Sequence, residues 1–470
     1  MFAIATTLTA MALASGFPAA LAQALKDFKC TGHPDIPWSE QIVGCSSAIA
    51  SGKLADKDLA EAFNDRGRAD LATGAVDRAI ADYDQAIRLN PNYVTAYTDR
   101  GNVYAAKGYL DHAIADYDQA IRLNPNYATA YIARGAAYQV KNDPDRAIAD
   151  ADKAIQLDPG NAFALSNRGF AYQAKGEIDR AMADYGRAIE LKPNYAQALL
   201  NRGTAYAAAG DQDRAIADYS AVIQINPNYV AAFVDRGIAY QAKDELDRAI
   251  ADFDQAIQLD PKAARAFANR GSVYEDKGDL DRAIADFDQA IRLDPKAAPA
   301  FANRALAYEA KGDLDRAIAD DTEAIQLAPT NAIAYFNRGN AYGAKGDLDH
   351  AIADYDQATQ LNPMLTPAFI NRGAAYVAKK DYDRAIADDD KAIRLNPNLA
   401  VALNNRGRAF LAKKEYDRAI ADYDQAIRLK PDYANALYWR GKAKQAKGDV
   451  AGGNADFGAA QKIDPNVSSH

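Results

Sequence analysis

An Arg-Gly pair recurs along the chain with an unbroken spacing of 34 residues, from Arg66-Gly67 and Arg100-Gly101 to Arg440-Gly441. Arg304-Ala305 is the single variant among the twelve occurrences. Proline keeps the same interval, from Pro91 through Pro465. Such a period excludes an ordinary globular core, because each short unit can bury its apolar face only against its neighbours in a stack. A chain of 470 residues would otherwise suggest about three domains; this one is expected to form one quasi-linear array.

Taking Ala60 as the first position of the first unit places Phe63 at position 4, Gly67 at 8, Ala79 at 20, Tyr83 at 24, Ala86 at 27 and Pro91 at 32. Position 8 is Gly and position 20 is Ala in eleven of the twelve units, with Ala305 and Gly453 as the exceptions. Position 4 is always aromatic or Leu, and position 11 is Tyr from Tyr104 to Tyr376 and Phe at 410, an apolar stripe of helical period. Small residues at 8 and 20 are expected to face one another and let two helices approach. A turn glycine at position 15 (Gly108, Gly176, Gly278) precedes an acidic residue that can cap the next helix, such as Asp279 or Asp313. One unit has Asp143-Pro144 instead, with proline at the first helical position. Period and signature residues together resemble the tetratricopeptide repeat (TPR) family, of an exported bacterial type. The resemblance implies an all-α fold, a right-handed superhelical α-solenoid of helix-turn-helix hairpins whose first helices line a concave face.

The twelve units would occupy residues 60–467, leaving a tail at 468–470 and no room there for a catalytic domain. Residues 1–24 carry no charge, are apolar and contain Ala20-Leu21-Ala22, which reads as a secretory signal peptide, with no membrane span remaining after cleavage. Export would place the protein in the periplasm or outside the cell. Residues 25–59 read as an N-terminal cap: Ile42, Cys45, Ala48 and Ile49 mirror Ile80, Tyr83, Ala86 and Ile87 at an offset of 38, the pattern of a lone second helix. Lys444, Gly453 and Asn454 make the last unit more polar, as a terminal surface requires. Cys30 and Cys45 are the two cysteines, and export favours a disulfide between them, worth roughly 3 kcal/mol in the chain-entropy model. A free thiol pair, or a metal site with His33, is the rival reading.

A net charge of −9 argues against nucleic acid as a partner. Arg at position 7 and Asp at position 23 occur in all twelve units, where the family more often has Leu at position 7. A ladder of ion pairs within hairpins is one reading, and anion binding by the arginines is the other. The many Asp residues at positions 18 and 25 read as solvated helix faces. The four histidines share no cluster, and neither a phosphate loop nor a nucleophile motif stands out, so no catalytic residue, cofactor or metal is expected.

Function is expected where units differ, at positions 2, 5, 9 and 12 of the first helix. The middle of the expected groove collects Phe163, Phe170, Leu200, Val234, Ile238, Phe336 and Ile370, with Leu306 and Ile333, a lining suited to a peptide or a partner helix. Some of these residues would alternatively only pack against the next unit. Position 6 carries Asn167, Asn201, Asn269, Asn303, Asn337, Asn371 and Asn405. This row resembles the asparagine ladder in the TPR arm of the nucleocytoplasmic glycosyltransferase that modifies Ser and Thr, where amides hold an extended backbone. The competing reading is that each Asn braces its own hairpin. The lysine at position 5 that grips chaperone tails in another TPR subclass is absent from every unit. Ala151, Asp321 and Asp389 replace the aromatic at position 24 and mark weaker seams, with repeats 8 and 10 as flexible joints. The reading is a noncatalytic scaffold for another protein or peptide. The alternatives are a self-associating structural protein of the cell envelope and an accessory subunit of an envelope complex.

Overall fold

A computed structural model describes Cys30 and residues 36–467, and these hold 25 helices and no strand. A leading helix, Trp38–Ala50, is followed by pairs: Asp56–Ala72 with Val76–Leu89 in repeat 1, Val94–Ala106 with Leu110–Leu123 in repeat 2, and so on to Ala434–Lys447 with Val450–Ile463 in repeat 12. The turn inside each pair needs a left-handed residue. Gly108, Gly176 and Gly278 supply it at φ 81°, 77° and 74°, whereas Asn142, Asp244, Lys380 and Lys414 adopt φ of 58–63° in repeats 3, 6, 10 and 11. The acidic residue after it caps the second helix as expected: Asp143, Asp279 and Asp313 each accept the backbone N–H of the third residue on.

Where one array was expected, the chain divides into two compact units, residues 1–243 and 244–470. The division falls in the turn of repeat 6, between the helices Val230–Ala242 and Leu246–Leu259. Contacts in such a stack reach only neighbouring repeats, so no common core ties distant hairpins together.

Within a hairpin, the glycine at position 8 is dictated by the ring at position 24. A Cβ on Gly67 would lie 2.8 Å from Tyr83 Cε1 and 3.2 Å from the Ala79 carbonyl oxygen, and one on Gly271 would lie 2.9 Å from Phe287 Cε1. The close approach is therefore of glycine to ring and to the backbone at position 20. Ala305 occurs where the ring is missing, since its repeat carries Asp321 at position 24.

The repeated arginine is an ion-pair device with two arms. In the eleven repeats that lie within one unit, Nε and Nη2 donate to both carboxylate oxygens of the position-23 Asp at 2.6–2.9 Å. Nη1 reaches back to position 25 of the preceding repeat, as in Arg100 to Asp84 at 2.6 Å and Arg440 to Asp424 at 2.7 Å. Ser220 and Thr322 take that place for Arg236 and Arg338, both at 3.0 Å. The Asp residues at position 18 are likewise paired: Lys107 donates to Asp77 at 2.9 Å and Lys277 to Asp247 at 2.6 Å, each across a seam. The Asp residues at positions 18 and 25 therefore pair across the seams while staying solvated, as Asp77 at 91% and Asp84 at 45% side-chain exposure show. The seam between repeats 4 and 5 has neither contact, because Gly186 stands at position 25 and Ala209 at position 14.

At the front, Cys30 and Cys45 form a disulfide, and both are buried with Ala48 against Ala62 of repeat 1. Arg66 donates to Ser46 at 3.2 Å, so the leading helix offers repeat 1 the same contact that a preceding second helix would. At the back, Val467 packs on Leu437 and Ala460, and Lys444 pairs with Asp456 at 2.9 Å. The signal segment 1–24, His33 and the tail 468–470 lie outside the described residues.

Two consequences are measurable. Gly186→Asp should complete the bare seam: a charged hydrogen bond to Arg202 adds about 1.5 kcal/mol to the ~0.3 kcal/mol by which aspartate exceeds a mid-helix glycine, against ~1 kcal/mol for alanine. Calorimetry should thus rank Gly186→Asp above Gly186→Ala above the parent, and a gain for Gly186→Asp that falls ~0.7 kcal/mol short of Gly186→Ala would mean that the second arm contributes nothing. Asp389, with neither carboxylate oxygen hydrogen-bonded, is pushed up to about 9 by burial, and Asp321 to about 8. Both carboxyls are thus protonated when folded at neutral pH but ionise near pH ~4 when unfolded. Their stabilising share is full below pH ~4 and declines as pH rises toward ~9, by about 1.4 kcal/mol per pH unit and group. Urea unfolding across that range should show Asp389→Asn flattening the decline; an unchanged slope would mean that Asp389 is ionised in the fold.

Candidate functional site

The first-helix face is where the sequence placed function, and the structure shows what its side chains touch. The seven asparagines of position 6 do not behave alike. Asn167 Nδ2 donates to the Ile132 carbonyl of the preceding repeat at 3.5 Å, while Asn201 Oδ1 accepts from Gln197 at 2.9 Å. Asn269 Nδ2 donates to the Arg265 carbonyl one turn back at 2.9 Å, and Asn371 Nδ2 to Asn340 Oδ1 at 2.9 Å. Asn303 is half-buried, whereas Asn337 and Asn405 are buried. Two of these bonds stay within the residue's own helix and two cross to the preceding repeat, while each amide retains hydrogen-bonding groups beyond those contacts.

The apolar candidates divide in the same way. Val234 is buried in packing, Leu200 and Ile370 are half-buried against the clusters of Val222 and Phe369, and Ile238 is half-buried. Phe163 meets Tyr195 edge-on at 5.0 Å, and Phe336 lies 6.1 Å from Tyr355. Phe170 is 46% exposed, Leu306 37% and Ile333 48%, which leaves these three as the apolar side chains a partner could cover.

Two further sets of polar residues on this face escaped the sequence reading. In repeats 1 and 2, position 6 holds Asp65 and Asp99, both buried; Asn64 donates to Asp99 at 3.2 Å, and burial pushes Asp65 up to about 7. In repeats 11 and 12, the Arg408 guanidinium lies 5.1 Å and the Lys442 ammonium 4.9 Å from the Trp439 ring. Trp439 stands at position 6, and a search for asparagine there passes over it.

In the second unit a pocket of about 380 Å³ opens between the first helices of repeats 8, 9 and 10, Ala298–Ala310, Ala332–Ala344 and Thr366–Ala378, and the helix Leu348–Leu361. Glu309, Asn340, Asn371 and Tyr355 supply its polar groups. Tyr355 Oη donates to Asn340 Oδ1 at 2.9 Å, the same oxygen that accepts from Asn371. Burial raises the Glu309 carboxyl above its ordinary range. Among the described residues no group of His, Cys, Asp and Glu is placed to hold a metal ion, and no helix is long and apolar enough to cross a membrane.

Family models described as TPR repeat match residues 67–108, 101–142, 172–210 and 407–448. Models described as tetratricopeptide repeat match 128–161, 196–229, 234–298, 271–332, 332–365 and 366–399. No curated protein shows a significant sequence match. Among solved structures, the APC/C hetero-tetramer Cut9–Hcn1 is similar at 16% identity and a TM-score of 0.52, over 100% of this chain and 98% of that one. A tetratricopeptide repeat protein from Parabacteroides merdae is 24% identical over 50% of this chain and 93% of its own, with a TM-score of 0.43. YrrB is 28% identical over 39% of this chain and 95% of its own, with a TM-score of 0.32.

Proposed function

From the premise that the chain belongs to the tetratricopeptide repeat family, we propose that it is a noncatalytic scaffold that holds a segment of a partner protein along the face of its first helices. The observation that carries this reading is the pocket built by three successive first helices, whose lining changes from repeat to repeat. A surface with fixed geometry and variable chemistry is suited to recognising a chain that runs across several repeats. The exposed Phe170, Leu306 and Ile333 supply apolar contact, and the remaining capacity of the asparagines supplies hydrogen bonds to a backbone. The apolar start of the chain and the buried disulfide support an exported protein working in an oxidising compartment, periplasmic or extracellular.

The test is capture from an envelope extract with the wild-type chain beside a variant carrying Asn269→Ala, Asn303→Ala, Asn337→Ala, Asn371→Ala and Asn405→Ala, checked for retained helicity. A partner held by the wild type and released by the variant is the expected result. A partner held equally by both would move the binding surface off this face. Sedimentation at rising concentration separates the alternative: a scaffold stays monomeric alone, whereas a self-associating envelope component grows.

A further inference from the structure

We propose that the pocket between repeats 8, 9 and 10 takes a cationic side chain, that of lysine or arginine, from the segment bound along the first-helix face. This rests on the scaffold reading and adds the chemistry of its ligand.

Glu309 is the first observation. It is half-buried at the pocket wall, and among the described residues it has neither a hydrogen-bond donor nor a cation as partner. The contrast with the arginine ladder is sharp, since its buried position-23 carboxylates are each forked by an arginine. A desolvated carboxylate without a counter-charge is costly, and a ligand that supplies one recovers that cost on binding. Asp321 of the same repeat likewise has its Oδ1 buried without a partner.

Gly343 is the second. It stands at position 12, in the last turn of the helix Ala332–Ala344, where the neighbouring repeats have Glu275, Glu309 and Val377. A Cβ there would meet the Tyr355 hydroxyl at 3.6 Å and Ala351 Cβ at 4.0 Å, ordinary contact distances. Packing therefore does not require this glycine, unlike Gly339, whose Cβ would strike the Tyr355 ring at 2.7 Å. Its physical effect is to keep the pocket open, at about 1 kcal/mol of helix stability.

The third observation is preorganisation. Asn340 Oδ1 accepts from Tyr355 and from Asn371, which fixes three of the polar groups before any ligand arrives. Ala344, Leu348 and Ala378 provide an apolar wall for the methylene stem of a lysine or arginine, with the charged head at Glu309. An acidic side chain would be repelled, and an aromatic one would leave the carboxylate buried and unpaired.

Short extended peptides of alanine and serine, identical except for a central Arg, Lys, Gln or Glu, would be titrated against the full chain by fluorescence anisotropy. The Arg and Lys peptides should bind about tenfold or more tightly than the Gln peptide, the span of one charge-assisted hydrogen bond. Glu309→Gln should remove that advantage, so that the Arg, Lys and Gln peptides bind alike. Gly343→Gln should block the cationic peptides with helicity intact, while Gly343→Ala, which fills little of the space, should raise Tm. Peptides that all bind alike, or a cation preference that survives both Glu309→Gln and Gly343→Gln, would overturn the pocket while leaving the scaffold reading standing. Absence of binding by any peptide would overturn both.

Discussion

Within each of the two units the packing depends on the position-7 arginine, whose guanidinium in most repeats touches three helices. Nε and Nη2 of the position-7 arginine fork onto the Asp of its own hairpin, and Nη1 crosses to the second helix of the repeat before. Only a planar fork can serve both directions at once, so lysine is no substitute. The pairs are partly desolvated: the arginine side chains are 14–23% exposed and their position-23 partners 7–10%. In that setting the ladder adds less net stability than specificity, because a hairpin out of register would strand a buried carboxylate. Rings at positions 4 and 11 flank the same guanidinium, with Arg100 5.8 Å from both Tyr97 and Tyr104. This arrangement accounts for the departure from the leucine more usual in the family.

What could be read from the sequence was what recurs inside one unit. The helix pairs, the caps at Asp279 and Asp313 and the Arg66–Asp82 pairing all follow from spacing within a single hairpin. Asp84 and Asp77 face solvent as read, but their pairing across the seam went unseen because their partners, Arg100 and Lys107, belong to the next unit, 16 and 30 residues on. The glycine at position 8 was traced to one of its two neighbours: it does face the backbone at position 20, but the closer contact is the ring at position 24. That correction also explains why Ala305 is tolerated, since the ring it would strike is replaced by Asp321.

The candidate site was less legible than the fold. Identical sequence at packing positions guarantees identical packing, but an asparagine at position 6 takes whatever polar group the variable positions around it supply. Asn201 therefore meets Gln197, Asn269 its own helix backbone and Asn371 the amide of Asn340. Glu309 and Gly343 carried no signal as single letters. Their meaning lies in the space they leave between three repeats, and a periodic reading aligns the units instead of placing them side by side.

Departures from the repeat pattern occur elsewhere, as at Ala151 and Gly186, but the buried carboxyls with unpaired oxygens at position 24, Asp321 and Asp389, fall in repeats 8 and 10, and Gly343, which packing does not require, falls in repeat 9. A repeat array offers a ready alternative at each of these positions, namely the residue carried by its neighbours, and each such residue would pack or pair better. Local violations of this kind concentrate where a chain does something other than fold. In repeats 8 to 10 they coincide with a pocket whose carboxylate has no partner, so the stability given up there and the binding proposed there have a common origin in the space around Glu309.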